Sequence, residues 1–152
     1  MSETATQLLS AAKNGDLANV RRLLTEGHVD VNVTDEDNTT PLYWASDKGH
    51  HDVVQSLLAA RADVNIAASD GQSPLWTASR NGHLNVVKTL LAGGANVNQG
   101  DEDNATPLYV ASENGHHDVV KSLLGAGADV NIARSSNNTT PLYVASEAQG
   151  KA

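Results

Sequence analysis

The sequence predicts an all-α solenoid of stacked helix-turn-helix units joined by hairpin-like connectors, and three observations carry that prediction. First, one tetrapeptide recurs. Thr40-Pro41-Leu42-Tyr43, Ser73-Pro74-Leu75-Trp76, Thr106-Pro107-Leu108-Tyr109 and Thr140-Pro141-Leu142-Tyr143 set their prolines 33, 33 and 34 residues apart. Second, the rest of the unit keeps the same step, in Leu57-Leu58, Leu90-Leu91 and Leu123-Leu124 and in Asp63-Val64-Asn65, Asn96-Val97-Asn98 and Asp129-Val130-Asn131. Residues 35 to 67 and 101 to 133 differ at only seven of 33 positions, which suggests a recent duplication or a designed array. Third, aromatic residues make up 3% of the chain with no Phe, so the core falls to Ala, Val, Leu and Ile, and small side chains imply closely approaching helices.

The 152 residues are expected to form one linear domain. Residues 5–33 read as a degenerate first unit: Leu8, Leu9, Ala11 and Ala12 give a first helix, Asn14-Gly15 a turn, and Val20, Leu23 and Leu24 a second helix before Val29-Asp30-Val31-Asn32. Thr4 with Gln7 fits a capping box at its start. The unit lacks a Thr-Pro-Leu start and is flanked by Lys13, Arg21 and Arg22, as suits a terminal repeat that meets water.

Residues 34–66 form the first full unit. Thr40 can N-cap while Pro41 takes the first helical position, where its missing N–H costs nothing. Leu42, Ala45 and Ser46 share one face, Lys48-Gly49 stops the helix, and Val53, Val54, Leu57 and Leu58 mark the second helix. Asn38, Gly71, Asn104 and Asn138 share one connector slot, and Asn and Gly tolerate a left-handed backbone, so a tight turn is expected there. Residues 67–99 and 100–133 repeat the pattern. Residues 134–152 open another first helix at Pro141 to Ser146, but Glu147-Ala148-Gln149-Gly150 is followed by two residues, and no second helix is expected.

From about Thr34 to Asn131 these residues follow G-x-TPLH-x-A-x-x-x-GH-x-x-VV-x-LL-x-x-GADVN, and the chain resembles the ankyrin repeat family. The resemblance implies a non-catalytic module that holds a protein partner on the concave side formed by turn tips and exposed first-helix positions. Carried over slot by slot, that surface begins with Glu36, Asp37, Thr39, Trp44, Asp47 and Lys48. In the next unit it takes Ser69, Asp70, Gln72, Thr77, Arg80 and Asn81, and in the third Glu102, Asp103, Ala105, Val110, Glu113 and Asn114.

The family usually carries His after Pro-Leu, where this chain has Tyr43, Trp76, Tyr109 and Tyr143. Their phenol O–H and indole N–H groups can replace the imidazole as donors between repeats while the rings fill the base of the turn; the other reading is an aromatic ladder that stacks on a ligand. Trp44 lies outside that column. It reads equally as an interface anchor or as a ring half-buried between first helices.

Composition narrows the function. The absence of Cys excludes disulfides and thiolate metal sites, and a cytoplasmic or nuclear setting is the default. No basic and apolar leader stands at the N-terminus, and no run approaches the roughly 20 apolar residues of a membrane span. A net charge of −8 disfavours nucleic acid and anionic lipid and favours a basic or mixed-charge protein partner. Seven acids sit on turn tips: Asp35, Glu36, Asp37, Asp70, Asp101, Glu102 and Asp103. Stacked tips would make them an acidic ridge, although isolated acidic turns are common.

No metal or cofactor is expected. His50-His51 and His116-His117 are adjacent on a helix and do not converge. Asp35-x-Asp37-Asn38 lacks the central Gly and distal Glu of a calcium loop. A catalytic role lacks a phosphate-binding loop or a nucleophilic triad. The alternative to partner binding is a designed or excised scaffold with no ligand of its own. Leu123, Leu124 and the last first helix would be partly exposed in it, so the chain is a monomer or self-associates weakly through its C-terminal end.

Overall fold

The computed structural model describes residues 1–26 and 28–150, with side chains described as far as residue 147. Among the described residues there are nine helices: α1 (Glu3–Asn14), α2 (Leu17–Glu26), α3 (Pro41–Lys48), α4 (His51–Ala59), α5 (Pro74–Asn81), α6 (Leu84–Ala92), α7 (Pro107–Glu113), α8 (His117–Gly125) and α9 (Pro141–Gly150). The odd-numbered helices pack in one row, α1 on α3, α3 on α5, α5 on α7 and α7 on α9, and α2, α4, α6 and α8 form a second row beside it. Residues 151 and 152, part of the span 134–152 expected to lack a second helix, lie outside the described residues.

Most of these helices are far too short to persist alone, so their ends and their packing decide that they form. Thr40, Ser73 and Thr106 sit in extended backbone and accept from the backbone N–H of Tyr43, Trp76 and Tyr109, with the proline just behind. The first helices end on Gly15, Gly49 and Gly82, at φ 73°, 75° and 75°. In α1 the N-cap is Ser2, whose side chain accepts from the Ala5 N–H, and not Thr4 as the capping-box spacing predicts. The helix starts two residues earlier than a Thr4 cap would place it, at Glu3, and Gln7 donates to Glu3 instead.

The core is a continuous aliphatic seam between the two rows. Leu8, Leu23, Leu42, Leu57, Leu75, Leu90 and Leu108 line it, with Val20, Val53, Val54, Val86 and Val87 between them, all buried. Ala12, Ala45, Ala78 and Ala111 are fully buried where first helices meet, which permits the close approach that the composition implies. Ser112 donates to the Leu108 carbonyl, whereas the buried hydroxyls of Ser46 and Ser79 in the same slot make no bond.

The connectors are tight turns linked edge to edge. Asn38, Asn104 and Asn138 have φ of 58°, 62° and 54°, and Gly71 has 82°. The turns close by bonds from the Asp35, Ala68 and Asp101 amides to the Thr39, Gln72 and Ala105 carbonyls. Successive tips are joined by the Ser69, Glu102 and Ser135 amides, which donate to the Asp37, Asp70 and Asp103 carbonyls. The extra residue of the last period sits in the fourth turn, where Asn138 bonds back to Arg134, four residues away instead of three.

At the C-terminal end Leu123 is fully buried, contrary to the expected exposure, because its side chain points into the seam. Leu124 and the last first helix, at Leu142 and Tyr143, are exposed as expected, and Val130 is exposed with them.

Candidate functional site

The turn tips and the first helices present one continuous face. On it Glu36, Asp37, Ser69, Asp70 and Glu102 are exposed at the tips, and Lys48, Arg80, Asn81, Glu113 and Asn114 are exposed at the first-helix ends. Gln72, Trp44, Asp47 and Asp103 are half-buried.

Four residues assigned to this surface by their slot are buried beneath it, and of these Thr39 lines the floor of the first of two clefts between the tips and Ala105 and Val110 that of the second. Thr39, Thr77, Ala105 and Val110 are buried. Thr39 donates through both its backbone amide and its hydroxyl to the Asp35 carboxylate, which turns it into the connector. Thr77 donates to Asp47 Oδ1 at 2.7 Å. Ala105 and Val110 pack with Trp76 and Tyr109 in a small second apolar cluster. Thr77, Ala105 and Val110 are met by a neighbouring repeat, whereas Thr39 is held by its own turn.

Three of the four column aromatics tie the repeats together. The Trp76 indole donates to the Ala105 carbonyl at 2.8 Å, the Tyr109 hydroxyl meets the Thr139 hydroxyl at 2.9 Å, and Tyr43 donates to Gln72 at 3.4 Å. Burial, then the carboxylates of Asp70 and Asp47, hold the Tyr43 hydroxyl above its ordinary pKa. Tyr143, with no repeat beyond it among the described residues, is half exposed and reaches Glu147. Trp44 stands edge-on to Tyr43 and donates to Asp35, and the Lys13 ammonium lies 3.9 Å from its ring centroid.

The tip acids divide into two groups. Asp35 and Asp101 point into their own turns. Asp101 accepts from the Asp103 and Ala105 amides, and Asp35 accepts from the Asp37 and Thr39 amides. Burial pushes the Asp35 carboxyl up, but the bonds from Thr39, Trp44 and Asp37 outweigh it and leave it below the usual carboxylate range. Asp103 is lowered by the Ser136 hydroxyl and by Arg134, whose Nε lies 2.5 Å away. Glu36, Asp37 and Glu102 remain outward, and Asp70 is exposed while accepting from the Gln72 amide of its own turn.

A folded-state pKa below the unfolded value stabilises above the unfolded pKa, and the gain is lost as pH falls through the folded one. The Asp35 contribution is therefore complete above about pH 4 and disappears below it. In Asp35→Asn the midpoint of thermal unfolding, followed by circular dichroism, will change less between about pH 4 and 2 than in the wild type. Parallel pH profiles for the two proteins would show that the carboxylate charge does not support the turn.

Two clefts open between successive tips. The first, about 240 Å³, is lined by Asp37, Thr39, Tyr43, Trp44, Ala68, Ser69 and Asp70. The second, about 270 Å³, has Gln72, Trp76, Arg80, Asp101, Tyr109, Glu113 and Arg134 on its walls. The Arg80 and Arg134 guanidinium groups lie 5.7 Å from the centroids of Trp76 and Tyr109. Sequence reasoning missed Arg134 and Lys13. The signal for Arg134 was its slot, where it follows Asp35, Ala68 and Asp101; for Lys13 it was a first-helix column of alternating charge, Lys13, Asp47, Arg80 and Glu113.

Four of the six histidines are structural ties. The ring Nε2 of His50, His83 and His116 meets the backbone carbonyl of Lys13, Asp47 and Arg80, and His51 meets Thr89 at 2.8 Å. No group of three or more His, Asp or Glu side chains is placed to hold a metal among the described residues. No helix among them is long and apolar enough to cross a membrane.

Comparison with known proteins gives a consistent assignment. A family model described as ankyrin repeats, in three copies, matches residues 8–101, 61–134 and 95–151. The human ankyrin repeat domain-containing protein 49 is 52% identical over 52 residues, covering 34% of this chain and 22% of that protein; its mouse counterpart is 51% identical over 51 residues, covering 34% and 21%. Osteoclast-stimulating factor 1 of Xenopus laevis is 48% identical over 52 residues, covering 34% and 24%. The matched stretch thus spans about a fifth to a quarter of these relatives' length.

Proposed function

We infer the role of this chain from its family: it belongs to the ankyrin repeat family, whose repeats generally mediate protein–protein interaction and are generally non-enzymatic. The proposed function is non-catalytic capture of a protein partner on the face formed by turn tips and first helices. The observation that carries it is the pair of clefts between tips whose backbones are tied to one another. A face held by inter-repeat bonds loses little conformational entropy on binding, which favours affinity at modest contact area.

The partner is basic or mixed in charge. Glu36, Asp37, Asp70 and Glu102 are exposed around the first cleft and along the tips, while Arg80 and Arg134 flank the second beside Asp101 and Glu113. A basic segment fits the first cleft and an acidic group fits beside the arginines of the second. Trp44 forms the half-buried wall of the first cleft and is the aromatic anchor of the proposed interface.

Asp103 belongs to the internal pair with Arg134 and is a poor probe of binding. The informative variant is Glu36→Gln, Asp37→Asn, Asp70→Asn and Glu102→Gln together, with Trp44→Ala as a second protein. Quantitative affinity capture from cells should show the wild-type partners falling by roughly tenfold with either variant, and weakening as salt is raised. An unchanged set of captured proteins would mean that these acids are solvated turn charge.

A further inference from the structure

The two clefts between the tips share a wall and differ in charge. Tyr43 and Asp70 line the first, Gln72 lines the second, and the Tyr43 hydroxyl donates to Gln72 Oε1 between them. The first cleft suits a cation. Asp37 and Asp70 are exposed in it, and the Tyr43 and Trp44 rings stand at 86° to each other along it. The Trp44 ring already holds one cation of this chain, because the Lys13 ammonium lies 3.9 Å from its centroid and makes no ion pair among the described residues.

The second cleft suits a carboxylate, and one of its two arginines is open to receive it. Arg134 Nε pairs with Asp103 at 2.5 Å, and its Nη1 lies 4.0 Å from Glu113. The Arg80 guanidinium rests 5.7 Å from the Trp76 centroid and, among the described residues, makes no ion pair or hydrogen bond. Gln72, from the turn that precedes α5, accepts through Oε1, and its Nε2 has no partner among the described residues. Two open donors of one unit thus line the same cleft, over the buried side chains of Ala105 and Val110. A carboxylate held there is partly shielded from water, which strengthens a charge-assisted bond. Asp101 and Glu113 of the next unit also line the cleft, so a single negative charge fits better than the nearly double charge of a phosphate.

On the premise that partners bind the tip face, we propose that the partner presents an extended segment with one basic and one acidic side chain three positions apart. The basic side chain enters the first cleft, against Trp44, Asp37 and Asp70, and the acidic one enters the second, against Arg80 and Gln72. The spacing follows from the stack. Neighbouring helices pack at about 10 Å, which sets the step from one cleft to the next. Three residues of polyproline II rise about 9 Å and return to the same face, whereas in a β-strand side chains three apart point to opposite faces. Aromatic-lined grooves are also the surfaces on which polyproline II segments dock.

The test titrates the isotope-labelled full chain with capped peptides containing Arg-Pro-Pro-Glu or Glu-Pro-Pro-Arg. Binding is followed by NMR at the Trp44 indole N–H, the Gln72 side-chain amide and the Arg80 Nε–H. One of the two orders is expected to shift all three signals and to bind roughly fivefold tighter than the same order with one or three intervening prolines. Arg80→Gln, at an exposed position whose fold circular dichroism verifies, should weaken that peptide by roughly fivefold and leave a peptide with Gln in place of Glu unaffected. Trp44→Ala should likewise weaken it, but not a peptide with Gln in place of Arg. Equal affinity at every spacing, or an equal loss with Arg80→Gln for both peptides, overturns the proposal. Tighter binding by a helical peptide with its charges seven positions apart, roughly two turns, overturns it as well. Captured proteins that ignore the tip acids would instead undo the tip-face reading, so the two failures are told apart.

Discussion

Trp76→Ala will lower the free energy of unfolding by about 4 kcal/mol, whereas Tyr143→Ala, in the same slot of the repeat, will lower it by less than about 0.5 kcal/mol. Both residues follow Pro-Leu at the start of a first helix, and the sequence pattern treats them alike. Their surroundings differ. Trp76 is buried, packs on Ala105, Tyr109 and Val110, and donates to the Ala105 carbonyl. Truncation therefore removes a large apolar ring, leaves a cavity and cuts a buried bond between repeats. Tyr143 is half exposed, and its hydroxyl bonds only to the exposed Glu147 of its own helix. Urea unfolding followed by far-ultraviolet circular dichroism measures both. Equal losses would show that the column stabilises each helix locally and does not join repeats.

That contrast also marks what the residues alone can convey. The helix starts were legible because Thr-Pro and Ser-Pro combine a cap with a preset φ, and the turns were legible because Asn and Gly share a left-handed slot. Both signals are local. The true N-cap of α1 was not, since Ser2 and Thr4 are both competent caps and the choice between them depends on how the first helix packs. The site was legible only in part. Slot arithmetic assigns Thr39, Thr77, Ala105 and Val110 to the surface, but whether a slot faces solvent depends on what its own turn or a neighbouring repeat places against it. Asp47 illustrates this: it draws Thr77 and Asn81 from the following unit and Lys48 from its own, so burial pushes its carboxyl up and these bonds bring it below the ordinary value. Contacts between residues about 30 positions apart leave no mark in either sequence neighbourhood.

The second large effect concerns the glycines that end the first helices. Gly82→Ala should cost about 3 kcal/mol and Gly115→Ala about 1 kcal/mol, although their φ angles are 75° and 72°. The backbone strain of placing alanine in the left-handed region is common to both. At Gly82 the new Cβ would also stand 2.5 Å from His116 Nδ1, so the ring must leave the glycine and give up its bond to the Arg80 carbonyl. At Gly115 nothing lies within 4 Å. The difference between the two substitutions therefore reports the His116 contact and not the turn. Adding His116→Ala removes the clash, so in that background Gly82→Ala should cost no more than Gly115→Ala, a coupling of about 2 kcal/mol in the double-mutant cycle. A Gly82→Ala cost that persists without the imidazole would locate the whole penalty in the backbone and remove histidine stacking from the forces that join one repeat to the next.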